Sequence, residues 1–129
     1  MKLLIDTYIF LWWCTDSSKL SNKARELISH KNTEVYLSLG SAWEMAIKTS
    51  LKKLTITQGN FATFLPTHLE KNNIKLLPIS FSHIIQVSAL PFIHNDPFDR
   101  LLVAQCLVED IPLLTEDKII PKYSIKLAL

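Results

Sequence analysis

Four carboxylates in this sequence each stand at the end of a predicted strand or near the beginning of a predicted helix. Asp6 and Asp117 follow short apolar runs, and Glu44 and Asp99 lie early in two segments with helical spacing. Ligands of open parallel α/β sheets bind outside the carboxyl ends of the strands. Acids gathered there repel one another unless a cation lies between them, and hard dications such as Mg²⁺ and Mn²⁺ prefer oxygen ligands. The pattern therefore predicts a divalent-metal site.

The elements that would position these acids alternate between strands and helices. Runs rich in β-branched and aliphatic residues predict strands at 2–5, 35–37, 74–79 and 112–115, with a short fifth strand at 125–129. Helices are predicted at 21–30, at about 38–51, at 61–69 with a break or kink near Pro66, at 80–88 and at 96–108, and either a helix or a tight turn at 7–14. This alternation predicts a three-layer α/β fold, a short parallel sheet flanked by helices on both faces.

Composition narrows the classes of protein that the chain can belong to. With 129 residues, 48% of them hydrophobic, the chain is expected to form one domain, residues 1–129. Only two glycines are present, and no Gly-x-Gly-x-x-Gly pattern, so a nucleotide cofactor is not expected. Cys14 and Cys106 are expected to be free thiols. Asp6 interrupts the N-terminal apolar run, and the longest such run, 9–14, is too short to cross a bilayer, so a cytoplasmic protein is expected.

The distribution of charged residues along the sequence is more informative about binding partners than the net charge. The net charge is +2, and neutralising the four acids with metal would leave the rest of the surface with an excess of six positive charges. Such a surface could bind an anionic polymer. Lys48, Lys52, Lys53 and Arg100 are the candidate contacts. The alternative for the lysines is a solvated helix end, where the helix dipole favours them, and Arg100 could instead pair with a nearby acid.

Each acid also has a purely structural alternative. Asp6 could cap the following helix, and Glu44 could form an exposed i,i+4 pair with Lys48. In the segment from His94 to Arg100, Asp96 is a good N-cap and Pro97 suits the first helical position, whereas one cap leaves Asp99 unexplained. A histidine at position 94 is expected to make loop hydrogen bonds rather than to bind metal.

Three further residues are predicted to orient the acids. Thr7 and Asp96 stand beside or near the acids in sequence, and Thr115 could hydrogen-bond a site carboxylate or a water. Glu116 is expected to be solvated, which leaves Asp117 as the fourth acid of the site.

The spacing of these residues resembles one known family over nearly the whole chain. The chain is similar to PIN-domain proteins of the VapC type, which are the ribonuclease toxins of bacterial and archaeal toxin–antitoxin pairs. The resemblance is carried in order by Asp6-Thr7, Ser38-x-x-Ser41-x-Trp43-Glu44-x-x-x-Lys48, Leu90-Pro91, His94-x-Asp96-Pro97-Phe98-Asp99-Arg100-Leu101-Leu102-x-Ala104-Gln105 and Leu114-Thr115-x-Asp117.

The resemblance implies a Mg²⁺- or Mn²⁺-dependent endoribonuclease that hydrolyses RNA phosphodiester bonds, is inhibited by a small antitoxin protein and forms a homodimer. It places the acidic quartet on Asp6, Glu44, Asp99 and Asp117. Asp6 and Asp99 are the expected direct ligands, and the other two would bind metal directly or through waters; the number of metals stays open. The four basic residues above would then contact RNA phosphates.

Two departures and two other functional classes accompany this prediction. The family often has His where this chain has Tyr8, and Gly40 stands where a residue more compatible with a helix is usual.

A catalytically weak protein-interaction module would use a groove lined by its aromatic side chains, but such a module should have lost an acid. A phosphatase or receiver-type domain ranks lower, because those folds need a second acid beside Asp6. The candidate groove residues are Trp12, Trp13, Phe61, Phe64 and Phe92.

Overall fold

A computed structural model describes residues 1–56 and 59–129 of the chain. Its four strands form one parallel sheet in the order β3-β2-β1-β4, which confirms the predicted three-layer α/β fold. The strands are β1 (Lys2–Ile5), β2 (Glu34–Ser38), β3 (Lys75–Leu77) and β4 (Leu113–Leu114). The helices are α1 (Thr7–Cys14), α2 (Asn22–Ser29), α3 (Leu39–Ser50), α4 (Phe61–Lys71), α5 (Phe81–Ala89) and α6 (Pro97–Glu109), with a 3₁₀ turn at Ile120–Lys122.

The central strand β1 divides the core into two layers. Leu3 and Ile5 pack with residues from α1 to α4, whereas Leu4 packs with residues from α5 and α6. Successive side chains of a strand point to opposite faces of a sheet, and all three are fully buried. A strand covered on both faces reads as a continuous apolar run, as β1 does.

The register of the sheet sets the position of the acids. Ile5 pairs with Leu37 on one side and with Leu114 on the other, so β1, β2 and β4 end level with one another. The residues that follow these pairs, Asp6, Ser38 and Thr115, therefore emerge at one edge of the sheet.

Several predicted bounds differ from the structure. The strand predicted at 74–79 is shorter because Pro78, which lacks an N–H, follows the last paired residue of β3. The predicted break at Pro66 is wrong: α4 runs through it. Loss of one hydrogen bond to Ala62 is tolerable there, because Ala62 is exposed and its carbonyl can bond to water. The predicted fifth strand is reduced to a single bridge between Leu113 and Leu127.

Membrane spans are not found in the described residues: neither 1–56 nor 59–129 contains a helix of the length and hydropathy needed to cross a bilayer.

Gly40 permits the close approach of α3 to α6, the helices that carry Glu44 and Asp99. A Cβ atom at position 40 would lie 2.5 Å from Cδ2 of Leu101, a buried residue of α6. Because glycine has no Cβ atom, α3 can approach α6 at this position without a clash with Leu101.

We therefore expect Gly40→Ala to lower the melting temperature, although alanine has the higher helix propensity by about 1 kcal/mol. Overpacking of a close contact typically costs about 1–3 kcal/mol, which outweighs that gain. Thermal unfolding followed by circular dichroism measures the difference. A melting temperature equal to or above that of the unaltered protein would contradict the close contact.

Candidate active site

All four predicted acids line one cavity of about 270 Å³ at the carboxyl edge of the sheet. Asp6 follows β1, Glu44 lies on α3, Asp99 lies on the first turn of α6 and Asp117 follows β4. The sheet register holds β1 beside β4, and the contact of α3 with α6 holds the two helices together. The fold thus brings together acids separated by more than a hundred residues of sequence.

Asp6 is almost completely buried and is held by two hydrogen bonds. Its Oδ1 accepts from the backbone N–H of Ile9 at 2.8 Å, as an N-cap of α1, and its Oδ2 accepts from the hydroxyl of Thr115. Burial raises the pKa of Asp6 to about 6, although both hydrogen bonds act in the opposite direction. The predicted cap of α1 is therefore present and uses one oxygen of Asp6, while the other oxygen is held by Thr115 at the cavity.

Glu44 is also buried, and both of its oxygens have partners. The hydroxyl of Thr7 donates to Oε1 at 2.7 Å, and Nζ of Lys48 donates to Oε2 at 2.8 Å. The i,i+4 pair with Lys48 forms, but Glu44 is only 4% exposed, so the pair belongs to the cavity and is not an exposed surface pair. Thr7 fixes the orientation of this carboxylate.

Asp99 points into the cavity because Asp96 already caps α6. The Oδ1 of Asp96 accepts from the backbone N–H groups of Phe98 and Asp99, at 2.8 and 3.3 Å, with Pro97 in the first turn. The side chain of Asp99 is thereby released from capping. Burial, and then the nearby charges of Asp96 and Asp117, raise the pKa of Asp99 to about 7.

Asp117 and Thr115 join the fourth strand to the site. The backbone N–H of Asp117 donates to the hydroxyl of Thr115 at 3.0 Å, and that hydroxyl in turn donates to Asp6. The Oδ1 of Asp117 accepts from the backbone N–H groups of Ile119 and Ile120, both at 2.8 Å. Burial alone would raise the pKa of Asp117, but these N–H groups and His94 together lower the pKa below its ordinary value.

His94, expected only to make loop hydrogen bonds, lies between two of the acids. Its Nε2 is 3.0 Å from Oδ2 of Asp99 and 3.3 Å from Oδ2 of Asp117. Its Nδ1 accepts from the backbone N–H of Asp96 at 3.1 Å, which places the ring proton of neutral His94 on Nε2. His94 therefore donates to the acids, and sequence reasoning missed it. The available signal was its place two residues before the cap of α6.

The predicted basic contacts fall into two groups. Lys48 lies beside the cavity, where its Nζ also donates to the Tyr8 hydroxyl at 3.4 Å. Lys52 and Lys53 are exposed in the turn that follows α3. The three lysines thus extend from the cavity along the end of one helix.

The prediction for Arg100 is corrected by its surroundings. Its guanidinium donates to the carbonyls of Pro91 and Val87 and to the hydroxyl of Tyr123, at 3.0–3.2 Å, and the residue is only 9% exposed. Three of its five N–H donors thus serve groups inside the protein, and its burial leaves little of the guanidinium open to an RNA phosphate. Arg100 fastens α6 to the segment after α5, because a buried guanidinium has to be hydrogen-bonded.

The donor set of the cavity suits a hard dication. Asp6, Glu44, Asp99 and Asp117 offer only carboxylate oxygens, which are the ligands that Mg²⁺ and Mn²⁺ accept. The raised pKa values of Asp6 and Asp99 mark two carboxylates for which the fold supplies too little compensating charge. With its proton on Nε2, His94 orients Asp99 and Asp117, and ligand atoms of these three residues lie within 4.8 Å of one another.

We expect Asp99→Asn to raise the melting temperature of the metal-free protein by several degrees at pH 8. The fold raises the pKa of Asp99 from 3.8 to about 7, so the folded state binds this proton more tightly than the unfolded chain does. Stability therefore falls as pH rises from about 4 to about 7, and the variant escapes this loss. Its advantage should shrink as pH is lowered from 8 to 5.

The matched control is Asp110→Asn, at the exposed far end of the same helix, where asparagine tolerates the left-handed backbone. Calorimetric scans in EDTA at both pH values give the comparison. A lower melting temperature for Asp99→Asn at pH 8 would make Asp99 a structural residue of the helix end.

We expect His94→Ala to weaken Mn²⁺ binding about 10–100-fold, the usual effect of losing a group that orients metal ligands. Without the imidazole, Asp99 and Asp117 lose their shared donor and a part of their fixed geometry. Isothermal titration with Mn²⁺ measures the affinity, and His30→Ala, in the exposed position after α2, is the control. An affinity that is unchanged or higher in His94→Ala would contradict the orienting role.

Comparison with solved structures shows which proteins share this fold. The VapBC2 complex from Rickettsia felis bound to a DNA fragment of its promoter aligns with a TM-score of 0.74 and 14% identity, over 98% of this chain and 96% of that chain. A toxin–antitoxin complex from Klebsiella pneumoniae gives 0.63 and 17%, over 95% and 92%. VapBC-1 from nontypeable Haemophilus influenzae gives 0.59 and 15%, over 91% and 87%.

Comparison of the sequence with curated proteins gives no match. A family model, by contrast, matches residues 3–126, and its description is PIN domain. That match includes all four acids of the cavity and covers nearly the whole length of the sequence. The chain belongs to the PIN domain family.

Proposed function

We propose that this chain is a Mg²⁺- or Mn²⁺-dependent endoribonuclease. The observation that carries the proposal is the convergence of four carboxylates on one cavity, two of them with pKa values raised by burial. Such an arrangement destabilises the fold unless a positive charge offsets the repulsion, and a dication is the partner that would do so. Membership of the PIN domain family supports nuclease chemistry in general.

Asp6 and Asp99 are the proposed direct ligands, and Glu44 and Asp117 complete the site directly or through waters. When bound, the metal supplies a Lewis acid for the scissile phosphate and lowers the pKa of the attacking water. Thr115 and Thr7 hold the carboxylates of Asp6 and Glu44 in place by their hydroxyl groups. These two carboxylates are thus preorganised by hydrogen bonds within the protein.

The proposed substrate is RNA, bound through its phosphates. Lys48 donates to the cavity acid Glu44, and its pKa is raised: burial lowers it, but Glu44 and Tyr8 together have the larger effect. Lys52 and Lys53 continue the positive charge along the exposed helix end. Once the acids are neutralised, these lysines face an anionic strand with little opposing charge.

We further propose that the enzyme is the toxin of a toxin–antitoxin pair, with a small antitoxin as its partner and a second copy of the chain completing a homodimer. The support for the antitoxin is the shared fold with three proteins whose structures are toxin–antitoxin complexes, and the homodimer rests on the sequence resemblance to VapC-type proteins. The identities, between 14% and 17%, establish the fold alone, so the partner is part of the proposal.

The alternative, a catalytically weak interaction module, has less support. Of the aromatic side chains that could line its groove, Phe64 is buried, and Trp12, Trp13 and Phe61 pack partly buried against the core. Phe92 is exposed, but the Arg100 guanidinium lies 4.7 Å from its ring centre. A module of this kind has no need for four intact acids with hydroxyl groups arranged around them.

The test is cleavage of total cellular RNA by purified protein that has been freed of any bound partner. We expect discrete fragments with Mg²⁺ or Mn²⁺ and none with EDTA. Asp6→Asn and Asp99→Asn should lose the activity, because each removes a charge from the cavity. End-mapping of the fragments identifies the cleaved sequence.

The matched control is Glu26→Gln, which removes an exposed acid of α2 and should leave cleavage unchanged. Equal cleavage in EDTA, or full activity in either aspartate variant, would refute the metal-dependent mechanism. An inactive protein that binds Mn²⁺ tightly would point to a narrow RNA target, and one that binds no metal would favour the interaction module.

A further inference from the structure

An aromatic pair, an exposed tryptophan on a half-buried phenylalanine, lies next to the acidic cavity and is not used by the proposed chemistry. Trp43 is 61% exposed, and its ring lies 5.3 Å from that of Phe98 at an interplanar angle of 81°. Phe81 and Phe92 are more exposed, at 79% and 74%, so the position of Trp43 beside the acids, and not its exposure alone, is the informative observation.

The helices explain why the pair stands beside the acids. Trp43 precedes Glu44 on α3, and Phe98 precedes Asp99 on α6. Neighbouring residues of a helix point about 100° apart. Since both acids face the cavity, both aromatic rings are turned to its side, where the two helices bring them into contact.

A groove of about 530 Å³ continues from the cavity towards this pair. Phe98, Lys48 and His94 line it, and Glu44 and Asp96 line both the groove and the cavity. The groove therefore joins the acids to Lys48 and Phe98, and Trp43 lies at its edge through its ring contact with Phe98. This sequence of acid, cation and aromatic groups matches the repeating phosphate and base of a nucleic acid strand.

We propose that Trp43, supported by Phe98, is a stacking platform for an unpaired base of single-stranded RNA next to the cleaved bond. The proposal rests on the proposed nuclease function and names the form of its substrate. Unstacked bases bind to aromatic side chains, whereas the base faces of a duplex are hidden in its own stack. The edge contact with Phe98 holds the indole in place and leaves its outer surface free.

A second aromatic pair on the cavity wall is less suited to this role. Tyr8 is half exposed and lies 6.2 Å from Trp12, but Nζ of Lys48 lies 5.2 Å from the Tyr8 ring centre. The ammonium group covers a part of that ring. Trp43 is the more open of the two surfaces.

The test is the affinity for RNA in an Asp6→Asn background, so that bound strands stay intact. Fluorescence anisotropy with Mg²⁺ present compares a labelled single-stranded oligoribonucleotide pool of mixed sequence with duplexes of the same length. We expect single strands to bind better, Trp43→Ala to weaken their binding about tenfold or more, and Trp43→Phe to retain most of it. Phe81→Ala, on an exposed aromatic residue of α5, should have no effect.

Three results would overturn the platform: an unchanged affinity in Trp43→Ala, equal binding of duplex and single strand, or no RNA binding by a folded protein with Trp43 intact. An unchanged RNA affinity would leave Trp43 as a contact for a protein partner. Cleavage by the protein with Asp6 intact is assayed separately. RNA binding that depends on Trp43, in a protein that does not cleave RNA, would refute the nuclease function and support the platform. Cleavage that is unaffected by Trp43→Ala would support the nuclease function and refute the platform.

Discussion

The burial of like charges at one edge of the sheet is the constraint on which the rest of this structure depends. Asp6 and Glu44 are 6% and 4% exposed, and Asp99 is held near them with a pKa raised to about 7. Burying carboxylates this close together is unfavourable unless hydrogen bonds and counter-charges surround them. The hydroxyl groups, the lysine and the imidazole around the cavity supply a part of that compensation, and a dication would supply the remainder.

The local devices that hold the acids also build the fold. Asp6 caps α1 with one oxygen, and Asp117 accepts from the backbone of the 3₁₀ turn with one of its own. Asp96 takes over the capping of α6 and so frees Asp99. Because one carboxylate oxygen satisfies the N–H groups at the start of α1, of α6 and of the 3₁₀ turn, the other carboxylate oxygens of Asp6, Asp99 and Asp117 can face the cavity. Structural and chemical roles are thus divided between the atoms of one side chain, or between neighbouring residues.

The approach of α3 to α6 connects the chemistry with the proposed substrate surface. Gly40 lets the helices meet, and the same contact sets Glu44 opposite Asp99 and Trp43 against Phe98. A change in this contact would therefore disturb both the metal ligands and the aromatic pair. Arg100, buried on α6, stabilises the position of that helix through backbone carbonyls and the Tyr123 hydroxyl.

The sequence by itself determined the alternation of strands and helices, the cap at Asp96, and the placement of the four acids after strands and early in helices, because these follow from local periodicity and from short-range chemistry. It could not determine that Arg100 is buried against carbonyls, that His94 lies between Asp99 and Asp117, or that α4 continues through a proline. Those outcomes depend on which groups the fold brings within hydrogen-bonding distance. That distance is set by the sheet register and by helix packing, which only the tertiary structure decided.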